Sequence, residues 1–251
     1  MSILDQLPTI GLDDMKAVRL MNRVDLKYMA CVDQLEPLLE LIADDYRVQR
    51  IAGEPLAPYR TLYFDTDDLA MYTMHHNQKL NRQKLRVRCY RSTDTTFFEI
   101  KNKDNSGKTQ KVRIPIEPQM FEHCSEVQEI CEFVANNTPY NFAGLQPYLE
   151  NHFERITLVD KGMSERVTID SNITFNNRAT GIKADISRLL VIEVKHEVGA
   201  PPSAIEQALR ELHVLPRRMS KYCIGTALTN PSAKHNRFKP KLLYINKITN
   251  N

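Results

Sequence analysis

The segment Lys84–Arg113 alternates basic and apolar residues through three successive runs, and this pattern limits the fold more than any other feature. In KLRVRCY, Lys84, Arg86, Arg88 and Tyr90 fall on one face, with Leu85, Val87 and Cys89 on the other. That is the period-two signature of a strand. The run TFFEIKNK repeats it, with Glu99, Lys101 and Lys103 opposite Phe98 and Ile100. Asn105-Ser106-Gly107 supplies a turn, after which Lys111 and Arg113 alternate with Val112 and Ile114. The pattern predicts an antiparallel meander with one apolar and one cationic face. Like charges on facing strands repel. A single strand of this kind normally shows its charges to water. Repetition over several strands points instead to a polyanion.

Net charge is only +3, so an anion site must come from arrangement rather than from total charge. At 42% hydrophobic and 26% charged residues in 251, the composition is that of an ordinary globular protein. The five cysteines contain no CxxC pair, which argues against a disulfide framework or structural zinc. Cys31 and Cys89 read as small buried apolar residues. MSILDQLPTIGLDD lacks a basic region and a long apolar core, so no signal peptide is expected. A cytoplasmic location is the default, with the membrane's inner surface reached only through a partner.

Further strands carry the same pattern. Arg23, Asp25 and Lys27 alternate with Val24, Leu26 and Tyr28, and Arg166, Thr168 and Asp170 oppose Val167 and Ile169. Arg155 shares a face with Thr157, while Glu193 and Lys195 oppose Ile192 and Val194. Helices are expected after Asp33, with a stripe of Leu35, Leu38, Leu39 and Ile42, and after Asp67, as far as His75-His76. Others are expected near Glu126–Asn136, after Pro201-Pro202-Ser203, and over Ser220–Ala227, which carries Lys221. The expected fold class is α+β: a closed eight-stranded antiparallel β-barrel with a charged interior and helices packed on the outside. Closure removes the sheet edges. The expected organisation is an N-terminal helical segment at 1–20, a barrel domain at 21–228 and a basic C-terminal tail at 229–251.

On RVDLKY (23–28), YFDT (63–66), RVR (86–88), EIK (99–101), Arg155, ERVTID (165–170), IEVK (192–195) and SKY (220–222), the chain resembles the triphosphate tunnel metalloenzymes. Within them it is similar to the VTC domain, the polyphosphate polymerase branch. The resemblance implies a tunnel that binds triphosphate with Mn²⁺ or Mg²⁺. It implies phosphate-binding and catalytic roles for Arg86, Arg88, Lys101, Arg155 and Arg166. Glu193 matches the metal-binding glutamate, Lys27 the first-strand basic residue and Lys221 a lysine at the tunnel mouth. Arg23, Lys103, Lys111, Arg113 and Lys195 complete the expected substrate-binding set. Hydrolytic relatives carry Glu-x-Glu-x-Lys where this chain has Arg23-Val24-Asp25-Leu26-Lys27.

Phosphoryl transfer is mainly positioning and charge neutralisation. Arginine forks grip phosphate oxygens and lysines act as point charges. Hydrolysis also needs a positioned water, whereas a terminal phosphate is already an anionic nucleophile. A cation-rich bore with few acids therefore favours transfer of the ATP γ-phosphate to a growing polyphosphate chain. The expected partners are ATP and polyphosphate, with a membrane protein that accepts product; no specific nucleic acid is expected. The alternatives are a tunnel-type triphosphatase and a non-catalytic polyanion-binding module. Mutual repulsion of bore arginines also predicts that Arg86→Ala and Arg88→Ala leave stability unchanged or raised.

Overall fold

The computed structural model describes residues 3–17 and 23–250, with the side chains of Lys16, Ala17 and Arg23 left out of the description. The strands are β1 (Thr9–Ile10), β2 (Arg23–Cys31), β3 (Tyr46–Gln49), β4 (Ala57–Asp65), β5 (Arg82–Tyr90) and β6 (Thr95–Lys103). They continue with β7 (Thr109–Ile116), β8 (Gln146–Asp160), β9 (Glu165–Asn177), β10 (Lys183–Asp185) and β11 (Leu189–Glu197). The helices are α1 (Ile3–Gln6), α2 (Leu35–Leu41), α3 (Ala70–His76), α4 (Gln128–Asn137), α5 (Ala204–Glu211), α6 (Lys221–Thr229) and α7 (Lys239–Thr249). None of the described helices is long and apolar enough to cross a membrane.

All these strands join one 11-stranded sheet whose main path runs β2-β11-β9-β8-β4-β5-β6-β7. The short β1, β3 and β10 attach beside it. Every described pairing is antiparallel except β1 with β3. The expected closed eight-stranded barrel is therefore corrected: the sheet has 11 strands, and its end strands β2 and β7 do not pair. Both edges are managed without closure. Backbone of the Pro216-Arg217 segment covers β2, with the Arg217 N–H donating to the Lys27 carbonyl at 2.6 Å. Strand β7 is largely exposed and carries Lys111, Arg113 and Pro115, residues that discourage edge pairing.

Helices pack on both faces of the sheet, which corrects their expected placement outside it. Leu38, Leu39, Ile205 and Leu209 of α2 and α5 bury against Ile156, Val167, Ile169, Ile192 and Val194. Ile130 and Val134 of α4 cover Leu85, Val87, Phe98 and Ile100. The opposite face is charged along only part of its length. Where Lys27 gives way to Met29 and Glu193 to Val191, it turns apolar, and Tyr222, Cys223 and Ile224 of α6 and Ile245 of α7 fill that end. A Cβ on Gly225 of α6 would lie 2.5 Å from Phe175 Cδ1 and 2.7 Å from Leu149 Cδ2. Gly225→Ala should therefore cost about 1–3 kcal/mol, measured as a lowered melting temperature with the helical circular dichroism retained.

Two helix starts differ from expectation because polar side chains reach from unexpected positions. Asp65, rather than Asp67, caps α3: it accepts from the Met71 and Tyr72 N–H groups, both at 2.9 Å, while Thr66 Oγ1 accepts from Ala70 at 2.8 Å. Before α2, Gln34 Oε1 accepts from the Cys31 N–H, and Asp33 instead binds Arg188 at 2.6 Å. Cys31 and Cys89 are half-buried, leaving Cys124 and Cys223 as the buried thiols.

Candidate active site

The alternation read from the sequence places the charges on one face, and the curl of the sheet brings distant strands together there. Lys101 of β6 lies in the field of Lys27 from β2, at the other end of the strand order. Lys84 of β5 donates to Ser220 Oγ at 2.9 Å, just before α6. The result is a groove roofed at its apolar end by α6.

Three carboxylates of the groove are each held by two cations, and Asp25 shares their face in register with Lys195. Glu99, with only 1% of its side chain exposed, binds Arg86 at 2.7 Å and also Lys111. Asp170 takes Arg155 Nε at 2.5 Å and Nη2 at 2.8 Å, and accepts from Lys221. Glu193 sits 3.3 Å from Lys27 and 3.2 Å from Lys195. Burial pushes the Glu99 carboxyl up, but Arg86, Arg88 and Lys111 outweigh it and hold it at about 2. Burial likewise opposes ionisation of Asp170 and Glu193, yet their cations hold both well below the usual carboxylate range. The acids of the groove are outnumbered by its cations, and these three are neutralised by them.

Other cations rest on neutral partners. Arg88, 7% exposed, donates to Thr61 Oγ1 at 3.2 Å. Its guanidinium lies 5.5 Å from the Tyr59 ring centre and 5.7 Å from that of Phe153. Arg155 covers the same two rings at 5.0 and 5.3 Å, and Lys221 lies 4.4 Å above Phe153. Tyr59 and Phe153 stack with centroids 5.0 Å apart. The negative faces of these rings thus hold three like charges close together without a carboxylate for each. Burial and neighbouring cations lower Lys84 and Lys101 to about 8. Burial also brings Lys111 and Lys195 to about 8, despite the carboxylates beside them.

The structure brings Lys27, Arg86, Arg88, Lys101, Lys111, Arg155, Glu193, Lys195 and Lys221 to the groove. Arg166 shares their face through its register with Lys195. Arg113 lies on edge strand β7, packed over the Phe97 ring at 4.2 Å. Lys103 ends β6, beside the Asp104–Gly107 turn and away from the paired charges. The Arg23 side chain lies outside the described residues. Lys221, expected at a mouth, is 11% exposed and locked to Asp170. Sequence reasoning did not assign roles to Glu99, Asp170, Lys84, Tyr59, Phe153 or Ser220. Glu99 and Asp170 stood in the alternating motifs; the ring pair had no local signal, because it forms across β4 and β8.

The pairings separate two arginines that the sequence treats alike. Arg86→Ala strands Glu99 in a buried site with Lys111 alone, and should destabilise by about 1–3 kcal/mol. Arg88→Ala removes a cation crowded by Arg86 and Arg155 and should cost less. Denaturant midpoints of the two variants test this, and equal losses would contradict it.

For a divalent cation, Glu193 is the groove carboxylate that the resemblance implies, and both lysine contacts reach its Oε1. One carboxylate fits Mg²⁺ or Mn²⁺ held chiefly by phosphate oxygens and water. It does not fit a site made by protein ligands alone.

A curled antiparallel sheet with a cationic groove on one face is what fold and site together define. The family model of the VTC domain matches residues 22–230. The chain belongs to the VTC domain family. Among solved structures, a putative adenylate cyclase from Vibrio parahaemolyticus aligns at 11% identity and TM-score 0.48, covering 82% of this chain and 99% of its own. A putative adenylyl cyclase from Hippeastrum, described as revealing a dominant triphosphatase activity, aligns at 14% identity and TM-score 0.46, with 82% and 96% covered. No curated protein matches the chain in sequence.

Proposed function

We propose that the protein is a polyphosphate polymerase that transfers the γ-phosphate of ATP to a growing polyphosphate chain in the cationic groove. The observation that carries this reading is the pairing of Glu99, Asp170 and Glu193, each with two cations. A carboxylate so engaged is poorly placed to activate water, while the surrounding cations suit a nucleophile that is itself an anion. A terminal phosphate oxygen of the chain attacks the γ-phosphorus; the bond from that phosphorus to the β,γ-bridging oxygen breaks, and ADP leaves. Arg86, Arg88, Lys101, Arg155 and Arg166 neutralise the phosphates during transfer. Lys27, Lys111, Lys195 and Lys221 hold the polymer along the groove, with Arg113 in register with Glu99 at its edge; Arg23 and Lys103, expected in the same set, are proposed only as outlying contacts. Glu193 would hold the Mn²⁺ or Mg²⁺, which when bound supplies further charge neutralisation.

The purified protein, given ATP and Mn²⁺, should yield ADP and a polyphosphate ladder on a gel. Free phosphate without a ladder would make it a triphosphatase. Neither product, with tight polyphosphate binding, would leave a binding module.

The lysines give this reading a pH signature. Lys84, Lys101, Lys111 and Lys195 titrate at about 8 in the empty groove. A bound polyanion favours their charged forms, so it raises their pKa values and draws in protons. Polyphosphate affinity should be highest below pH 8 and fall as pH rises through it. Calorimetry near pH 8 in buffers of different ionisation enthalpy should show proton uptake on binding; pH-independent affinity from 7 to about 9.5 would contradict this.

A further inference from the structure

On the other face of the sheet, away from the groove, lies a group of donors that the phosphate chemistry does not use. Glu165 opens β9 and stands in register with His196 near the end of β11. Glu206, in the first turn of α5, faces both. One donor atom from each lies within 4.8 Å of the others, the only such His, Cys, Asp or Glu trio among the described residues. Glu165 is 3% exposed, and the side chains of His196 and Glu206 are 11% and 14% exposed.

The hydrogen bonds around the trio leave donor atoms aimed inward. His196 Nδ1 lies 2.9 Å from the Glu197 carbonyl oxygen, which can only accept, so Nδ1 carries the proton. In the neutral ring, Nε2 then presents a lone pair, 3.5 Å from Glu206 Oε2. Buried His196 Nε2 and Glu165 Oε2 have no partner in good hydrogen-bond geometry, although the Ser203 hydroxyl stands beside Glu165. The carboxylates are braced: Tyr46 donates to Glu165 Oε1, Tyr28 hydrogen-bonds Glu206, and the oxygen of Glu206 that faces His196 also accepts from the Ser203 N–H at 3.1 Å and the Ser203 hydroxyl at 3.4 Å. A lone pair and two carboxylates converging in a buried site repel unless a proton or a metal cation lies between them; burial already pushes the Glu165 carboxyl up. Carbonyl-oriented imidazole and phenol-braced carboxylates are the supports that metal ligands typically have.

We propose that Glu165, His196 and Glu206 bind one zinc ion, with water as the fourth ligand. Two carboxylates and an imidazole suit zinc, and three protein ligands leave one position open. The adjoining cavity of about 390 Å³, lined by Tyr46, Glu165, His196 and Ser203, gives the ion and its water a way in. The ion would neutralise the two carboxylates and tie α5 to the ends of β9 and β11. The neighbours of its ligands in sequence, Arg166 and Lys195, are turned toward the groove. The site therefore clamps two groove-lining strands from behind.

The test is cobalt and zinc binding by the whole chain. The wild-type protein, loaded with Zn²⁺ and passed through gel filtration, should retain one equivalent and melt at a higher temperature. Co²⁺ should give the visible bands of a tetrahedral site. Glu193→Gln should keep both signals. Glu206→Gln preserves the hydrogen-bonding side chain that caps α5, so it should fold with unchanged circular dichroism yet lose the retained metal and the cobalt bands, as should His196→Ala. Retention of a full equivalent by folded Glu206→Gln, loss of the signals only in Glu193→Gln, or no retained zinc in the wild type would each overturn the assignment.

Discussion

Asp170→Asn is expected to lower folding stability by about 3–5 kcal/mol, the cost of leaving buried charges without their counterion. Asp170 is the only carboxylate holding both Arg155 and Lys221 in the described contacts. Asparagine keeps its shape and removes its charge, so two cations then share the face of Phe153. For a chain of this size the melting temperature should fall by roughly 10 °C. Polyphosphate supplies the missing anion and should restore more stability to the variant than it adds to the wild type. Unchanged melting of Asp170→Asn would contradict the pairing. The same anchors set the acid limit of the wild type. Glu99 and Asp170 have depressed folded-state pKa values, so their contribution is present above the unfolded carboxylate pKa of about 4. It is lost as pH falls, through about 2 for Glu99.

The second large effect concerns Glu193. Glu193→Gln should lower metal-dependent turnover by about 100-fold or more, the scale of losing one preorganised electrostatic contact at a reacting phosphate. It also releases Lys27 and Lys195 from their shared carboxylate oxygen. Polyphosphate affinity should therefore persist or increase. Turnover measured over a Mn²⁺ titration, beside binding in the absence of ATP, separates the two effects. Full activity would remove Glu193 from the site, and joint loss of turnover and binding would assign it to positioning the lysines.

The strands were readable because each side chain's face follows from its place in the chain. Phe98 and Ile100 are fully buried and Glu99 faces the groove, as period two requires. The closed barrel was not correctly inferred because alternation says nothing about whether β2 meets β7; that depends on the cover over β2 and on exposed, charged β7. Alternation also fixes a face without saying what fills it, so α6 and α7 on the charged side went unforeseen. The cationic residues of the site were readable one by one. Their pairing was not, since Arg155 meets Asp170 across β8 and β9 while Lys221 arrives from a helix 51 residues further on. The Tyr59–Phe153 stack and the Glu165–His196–Glu206 trio are likewise long-range products of the fold.

Tracing the γ-phosphate itself tests the central claim most directly. Wild-type protein, Mn²⁺ and ATP labelled only at the γ-phosphate should place the label in acid-labile polymer, with one ADP formed for each phosphate incorporated. Arg155→Ala, which removes a guanidinium proposed to neutralise the transferred phosphate, should slow that incorporation. Label recovered only as orthophosphate, at a rate matching ADP release, would contradict polymer synthesis in this groove.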